Sequence, residues 1–147
     1  MNILQMLKEE HKEVAHILEQ LDDTTDRAVK TREATFAKLY KALSLHADFE
    51  EQFFYPQVKE SKEVKDIVLE AYEEHHVVKT LLSELNELAV NDETWHAKLK
   101  VLKENVTHHV KEEEDELFPK VKQLVEPTLL EDLAEKYTHF KANSKIA

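Results

Sequence analysis

HADFEEQFFYP, residues 46–56, is answered by HVKEEEDELFP, residues 109–119. Each stretch begins with a histidine, places glutamates four and five positions on, and ends in apolar bulk and a proline. On a helix, residues i and i+4 share a face, so His46 with Glu50 and His109 with Glu113 point the same way. The surrounding sequence says which way. Phe36, Leu39 and Leu43 lead into His46 and Glu50, with Phe53 beyond, and Trp95, Leu99, Leu102 and Val106 lead into His109 and Glu113, with Leu117 beyond. These three- and four-residue steps describe one apolar helical stripe in each segment, interrupted by a histidine and a carboxylate.

The repetition widens outward. EEHKEVAHILEQL (9–21) aligns with EEHHVVKTLLSEL (73–85), which pairs His11 with His75. Each is set in its own stripe: Leu4, Leu7, His11, Val14, Leu18 and Leu21 in one, Val68, Ala71, His75, Val78, Leu82 and Leu85 in the other. The chain therefore reads as two helical hairpins, about 1–60 and 64–120, neither able to bury its apolar face alone. Polar breaks fall at 22–27, 60–63 and 90–93, with Thr25 or Thr31, Ser61, and Asn91 or Asp92 as candidate caps. Pro56 and Pro119 each disrupt a helix near its end, with a kink and a short continuation as the alternative. Pro127 suits the first turn of a last helix, about 127–141, carrying Leu129, Leu130, Leu133, Tyr137 and Phe140. Short links between long helices imply antiparallel neighbours. The expected fold is all-α: an up-down-up-down antiparallel four-helix bundle with a short C-terminal helix, forming a single domain over 1–147.

Composition agrees. The 147 residues include no glycine and three prolines. Turns that need positive φ favour glycine, so a hairpin-rich β fold is disfavoured. A formal charge of −11 argues against nonspecific nucleic-acid or anionic-membrane binding. No apolar run approaches the roughly 20 residues that span a bilayer. The N-terminal MNILQMLKEEHKE lacks the pattern of a secretion signal, so a cytoplasmic location is expected. The absence of cysteine removes disulfides, thiolate metal sites and cysteine nucleophiles.

The stripes place His11, His46, Glu50, His75, His109 and Glu113 toward the core. Two buried carboxylates repel each other and are costly without compensation, and bound cations supply it. Four imidazoles and two carboxylates exceed one tetrahedral zinc site and suit two first-row ions. Nitrogen and oxygen donors without thiolate fit iron, with manganese or zinc as alternatives. His108 and Glu112 share the same spacing, but the stripe from Val106 continues to His109, and Pro119 aligned on Pro56 selects the same pair. His16, His76, His96, His108 and His139 are expected to be exposed or partly exposed. Glu51 and Glu114 are read as surface or outer-shell residues, and Tyr72 as a packing residue one turn before His75.

The order of these motifs resembles the hemerythrin-like family, also called HHE cation-binding domains, over about residues 1–140. The resemblance rests on a first-helix histidine, H-x-x-x-E-E ending in proline, a second EEH, and H-x-x-x-E-E-x-E-L-F-P. It implies a non-haem di-iron centre with an oxo or hydroxo bridge. His11, His46, His75 and His109 would be its terminal nitrogen ligands, and Glu50 and Glu113 its bridging carboxylates. The oxygen-carrying members have H-x-x-x-H on the third helix, where this chain has Lys79 four places after His75 and Thr80 four places after His76. Their last motif places an aspartate five places after histidine, where this chain has Glu113 at four. Reversible oxygen carriage is therefore not the expected role.

The functional expectation is a di-iron protein that binds a small ligand, either oxygen, nitric oxide or peroxide, in sensing, scavenging or iron handling. Its alternatives are a peroxidase-like or nitric-oxide-processing enzyme and an iron-responsive interaction domain. No separate acid/base pair marks an enzyme, and no oligomeric state is implied.

Overall fold

The computed structural model describes residues 1–144, and these form helices joined by short links. Helix α1 is Ile3–Asp22, α2 is Val29–Phe49, α3 is Tyr55–Val58, α4 is Lys65–Glu87, α5 is Trp95–Glu112, α6 is Phe118–Leu124 and α7 is Pro127–Ala142. The bundle proper consists of α1, α2, α4 and α5, with α1 packed on α2 and α5, and α4 packed on α5 and α2. Helix α7 lies against α1 and α2. This is the expected four-helix bundle with a short C-terminal helix. None of the described residues has positive φ, so these links need no glycine.

Asn2 closes the first turn of α1: its side chain accepts from the Gln5 N–H at 3.0 Å, and Gln5 accepts from the Asn2 N–H at 2.9 Å. The caps expected at the other breaks are not used. Ala28 and Val64 precede α2 and α4 without a side-chain bond, and Thr94 occupies the position before α5. Asp92 instead accepts from the Thr94 N–H and hydroxyl, both at 2.8 Å. Tertiary packing supplies the missing restraint. Buried Arg32 donates to the Thr24 hydroxyl (2.8 Å), the Thr24 carbonyl (3.0 Å) and the Val90 carbonyl (2.6 Å), and its guanidinium lies 4.5 Å from the Trp95 ring centre. That one side chain ties two interhelical links together.

Pro56 and Pro119 each follow a widened turn, and the helix continues for a short stretch beyond them. Residues Glu50–Phe54 and Glu113–Leu117 are π-helical, and the Tyr55 and Phe118 N–H groups bond to the Glu50 and Glu113 carbonyls five residues back. The turns continue directly into α3 and α6, where Pro56 and Pro119 sit near the start and need no intrahelical donor. The extra residue in the turn rotates the downstream side chains about the helix axis. Phe53, expected in the core, is half-buried against Phe140, while Phe54 and Tyr55 become fully buried.

The core divides into two apolar layers. Leu7, Phe54, Ala71 and Leu117 belong to one, and Val14, Leu43, Val78 and Val106 to the other. On every bundle helix the step between these layers falls at a histidine: His11, His46, His75 or His109. The polar side chains thus form a layer between two apolar slabs.

Candidate metal centre

The six residues placed on the stripes by sequence are all buried, none more than 7% exposed. The structure brings them together as two overlapping groups. His11, His46, Glu50 and Glu113 each offer one donor atom within 4.8 Å of the others, and Glu50, His75 and His109 do the same. Glu50 belongs to both. The Nε2 atoms face inward: His75 Nε2 is 3.1 Å from Glu50 Oε1, His46 Nε2 is 3.4 Å from the same oxygen, and His11 Nε2 is 3.2 Å from Glu113 Oε1. Glu113 Oε2 lies 3.6 Å from His109 Nε2.

The opposite ring nitrogens show why the rings face this way. Each Nδ1 meets a carboxylate outside the six. His11 meets Glu114 at 2.7 Å, His46 meets Glu10 at 2.9 Å, His75 meets Glu51 at 2.9 Å and His109 meets Glu74 at 2.6 Å. A carboxylate only accepts, so each Nδ1 carries a proton, and in the neutral ring the Nε2 lone pair points into the cluster. Carboxylate–histidine pairs of this kind orient and strengthen metal-binding imidazoles.

The interior is short of positive charge. His75 Nε2 and His109 Nε2 stand 3.1 Å apart, and two bare lone pairs at that distance need a proton or a cation between them. His11 Nε2, His46 Nε2, Glu50 Oε2 and Glu113 Oε1 are buried without a hydrogen-bond partner. Metal ions fit this nitrogen-and-oxygen donor set, whose unpaired atoms would otherwise leave polar groups stranded in an apolar bundle. In the metal-free protein, protons do part of the work. Burial pulls His75 down, but hydrogen bonds and charge from Glu50, Glu51 and Glu113 outweigh it and raise the ring to about 9. His46 and His109 are also raised, against burial, by their carboxylates. Burial pushes Glu50 up, yet His46 and His75 hold it well below the usual carboxylate range.

Sequence reasoning missed Tyr55. Its buried hydroxyl donates to Glu113 Oε2 at 2.5 Å and lies 3.2 Å from Glu50 Oε1 and 3.3 Å from His75 Nε2. Burial first, then the Glu113 and Glu50 charges, push this phenol well above its ordinary range, so it keeps its proton. The π-turn aims it inward, and helical periodicity gives no warning of that. Glu10 and Glu74 were also missed, although the glutamate directly before His11 and His75 repeats in both halves. Glu51 and Glu114, both half-buried, hold the His75 and His11 rings. Tyr72 packs edge-on against Tyr55, with centroids 5.3 Å apart, and reaches the Glu51 carbonyl at 3.4 Å. His16, His76, His108 and His139 are exposed, and His96 is half-buried.

The family model described as hemerythrin HHE cation binding domain matches residues 2–121. A curated relative from Nostoc sp. (strain PCC 7120), named DNA nickase, is 30% identical over 147 residues. The match covers 99% of this chain but 40% of that relative's length. The crystal structure of a hemerythrin HHE cation binding domain-containing protein from Mycobacterium kansasii has the same fold, with a TM-score of 0.79 at 23% identity. That match covers 97% of this chain and 88% of the other.

Proposed function

Because this chain belongs to the hemerythrin HHE cation-binding family, we propose that it is a non-haem di-iron protein that binds oxygen, nitric oxide or peroxide in sensing, scavenging or iron handling. The reading is carried by one observation: two donor groups that share Glu50, each with two histidines whose Nδ1 protons are held by carboxylates. His11, His46, Glu50 and Glu113 would hold one ion, and His75, His109 and Glu50 the other. Manganese and zinc compete for the same donors, since selectivity also depends on metal availability. A ferrous pair would supply electrons and coordination positions to the small ligand.

The chain's own residues set the conditions. Glu50 ties the two groups together. Glu10, Glu51, Glu74 and Glu114 orient the rings before any ligand arrives, so little reorganisation accompanies binding. The apolar layers on either side keep bulk water from the cluster and strengthen the electrostatics inside. Tyr55 holds a proton at Glu113 Oε2.

That hydroxyl, a hydrogen-bond donor set against the cluster, favours a second reading, turnover of peroxide or nitric oxide at the same centre, where a fixed donor can stabilise charge developing on a reduced ligand. The nickase name is not carried over: this chain spans two-fifths of that relative, and its charge of −11 opposes contact with a phosphate backbone. The test is anaerobic loading with ferrous iron, then elemental analysis and optical spectra before and after exposure to oxygen, nitric oxide and peroxide. Two irons per chain and a new visible absorption are expected. No spectral response to any of the three would sink the proposal.

A further inference from the structure

Helix α7 lies beyond the residues matched to the family, yet it reaches the metal centre. Tyr137 donates its hydroxyl to Glu10 Oε1, the oxygen that accepts from His46 Nδ1, and Lys141 Nζ donates to Glu10 Oε2 at 2.8 Å. Tyr137 is fully buried and stacks on Phe49 of α2, with centroids 4.3 Å apart. The Lys141 ammonium lies 4.5 Å from the centre of the Tyr137 ring. Packing therefore fixes both donors on the same carboxylate.

The other half of the molecule supplies a comparison. Glu74 stands in the repeat where Glu10 stands, and holds His109 as Glu10 holds His46. No helix equivalent to α7 covers it among the described residues. Its neighbours are Glu70, Glu112 and the exposed His108, whose Nε2 is 3.6 Å away. One carboxylate of the pair is thus loaded with an ammonium and a phenol, and the other sits in an acidic surrounding. A hydrogen bond to a carboxylate that already serves two other donors draws less on the imidazole proton, and leaves a less electron-rich ring.

We infer that Tyr137 and Lys141 are positioning residues of the metal centre, which act through Glu10 to weaken the donor strength of His46. The effect on a bound ion rests on the di-iron reading above, but the effect on the His46–Glu10 hydrogen bond does not. Removing either donor makes Glu10 a stronger acceptor. It also makes His46 a stronger ligand and favours the oxidised state of iron.

The test uses Lys141→Met and Tyr137→Phe, with Lys141→Arg as the conservative variant. Lys136→Met is the control, because it removes the same charge from the same helix where Lys136 covers Phe53 instead. Proton–nitrogen spectra of the histidine rings, in metal-free and zinc-loaded protein, read the His46 Nδ1 proton directly. It is expected to move downfield in Lys141→Met and Tyr137→Phe, and to stay in place in Lys141→Arg and Lys136→Met. In iron-loaded protein the same two variants are expected to shift the midpoint potential to more negative values. An unmoved resonance in both variants, or a shift shared equally by Lys136→Met, would overturn the inference. Failure of the native chain to retain iron would count against the di-iron reading alone, since the resonance still decides this one.

Discussion

Tyr55 and Phe118 occupy equivalent places in the two halves, each directly after a π-turn and before a proline, and only Tyr55 carries a hydroxyl into the cluster. Phe118 instead lies nearly parallel to the His11 ring, with centroids 6.0 Å apart. At this position the repeat differs by one oxygen atom, and that atom touches both bridging carboxylate candidates.

Tyr55→Phe tests its weight. The ring volume is kept, so the fold should survive, but the hydrogen bond to Glu113 is lost. Bonds to charged partners contribute about 1.5–3 kcal/mol, and urea denaturation of the metal-free variant should show a loss of that order. Unchanged stability would mean that the hydroxyl is not engaged as described.

Glu50 is the residue common to both donor groups, whereas Glu113 joins one of them. Elemental analysis after reconstitution should therefore find metal depleted from both positions in Glu50→Ala. Glu113→Ala should retain more, at His75 and His109. Equal retention in the two variants would contradict a shared role for Glu50.

Stability of the metal-free protein should depend on pH in two windows. His75 is raised from 6.5 to about 9 in the fold, so its contribution is complete below 6.5 and lost as pH climbs through 9. Glu10 moves the other way. Burial raises it, but His46, Lys141 and Tyr137 together lower it from 4.5 to about 2, so its contribution is present above 4.5 and lost as pH falls toward 2. Chelator-treated protein should melt highest between about 4.5 and 6.5. Metal must also displace the histidine protons, so binding should release protons and weaken on acidification, which an indicator-dye titration would detect. Metal uptake without proton release would contradict ligation by these rings.

Arg32 provides a control remote from the centre. It lies fourteen residues before His46 on the same helix, about 21 Å at 1.5 Å per residue. Arg32→Ala should strand the Thr24 and Val90 carbonyls and uncover Trp95. The expected cost is roughly 2–3 kcal/mol in denaturant, with metal content unchanged. Loss of metal in this variant would show that the far end of the bundle is not independent of the site.

Local pattern was enough for much of this. Leu99, Leu102, Val106, His109 and Glu113 declare a helix face by spacing alone, and the matching stripe through His46 and Glu50 declares its partner. From these the bundle, the antiparallel order and the six convergent side chains can be deduced, because burial of one face per helix admits few arrangements. The order of buried residues after Glu50 could not. The π-turn over Glu50–Phe54 leaves no mark in the apolar spacing, and it replaced Phe53 with Phe54 and Tyr55 in the core.

The amino-acid sequence by itself determined which side chains face inward along the regular turns of the four bundle helices, since periodicity is a property of each helix alone. Only the tertiary structure decided what holds those side chains in place. Glu114 reaches His11 across 103 positions of chain, and Glu10 is reached by Tyr137 and Lys141 across 127 and 131. Such pairings arise from the docking of one helix on another, and no spacing within a single helix encodes them.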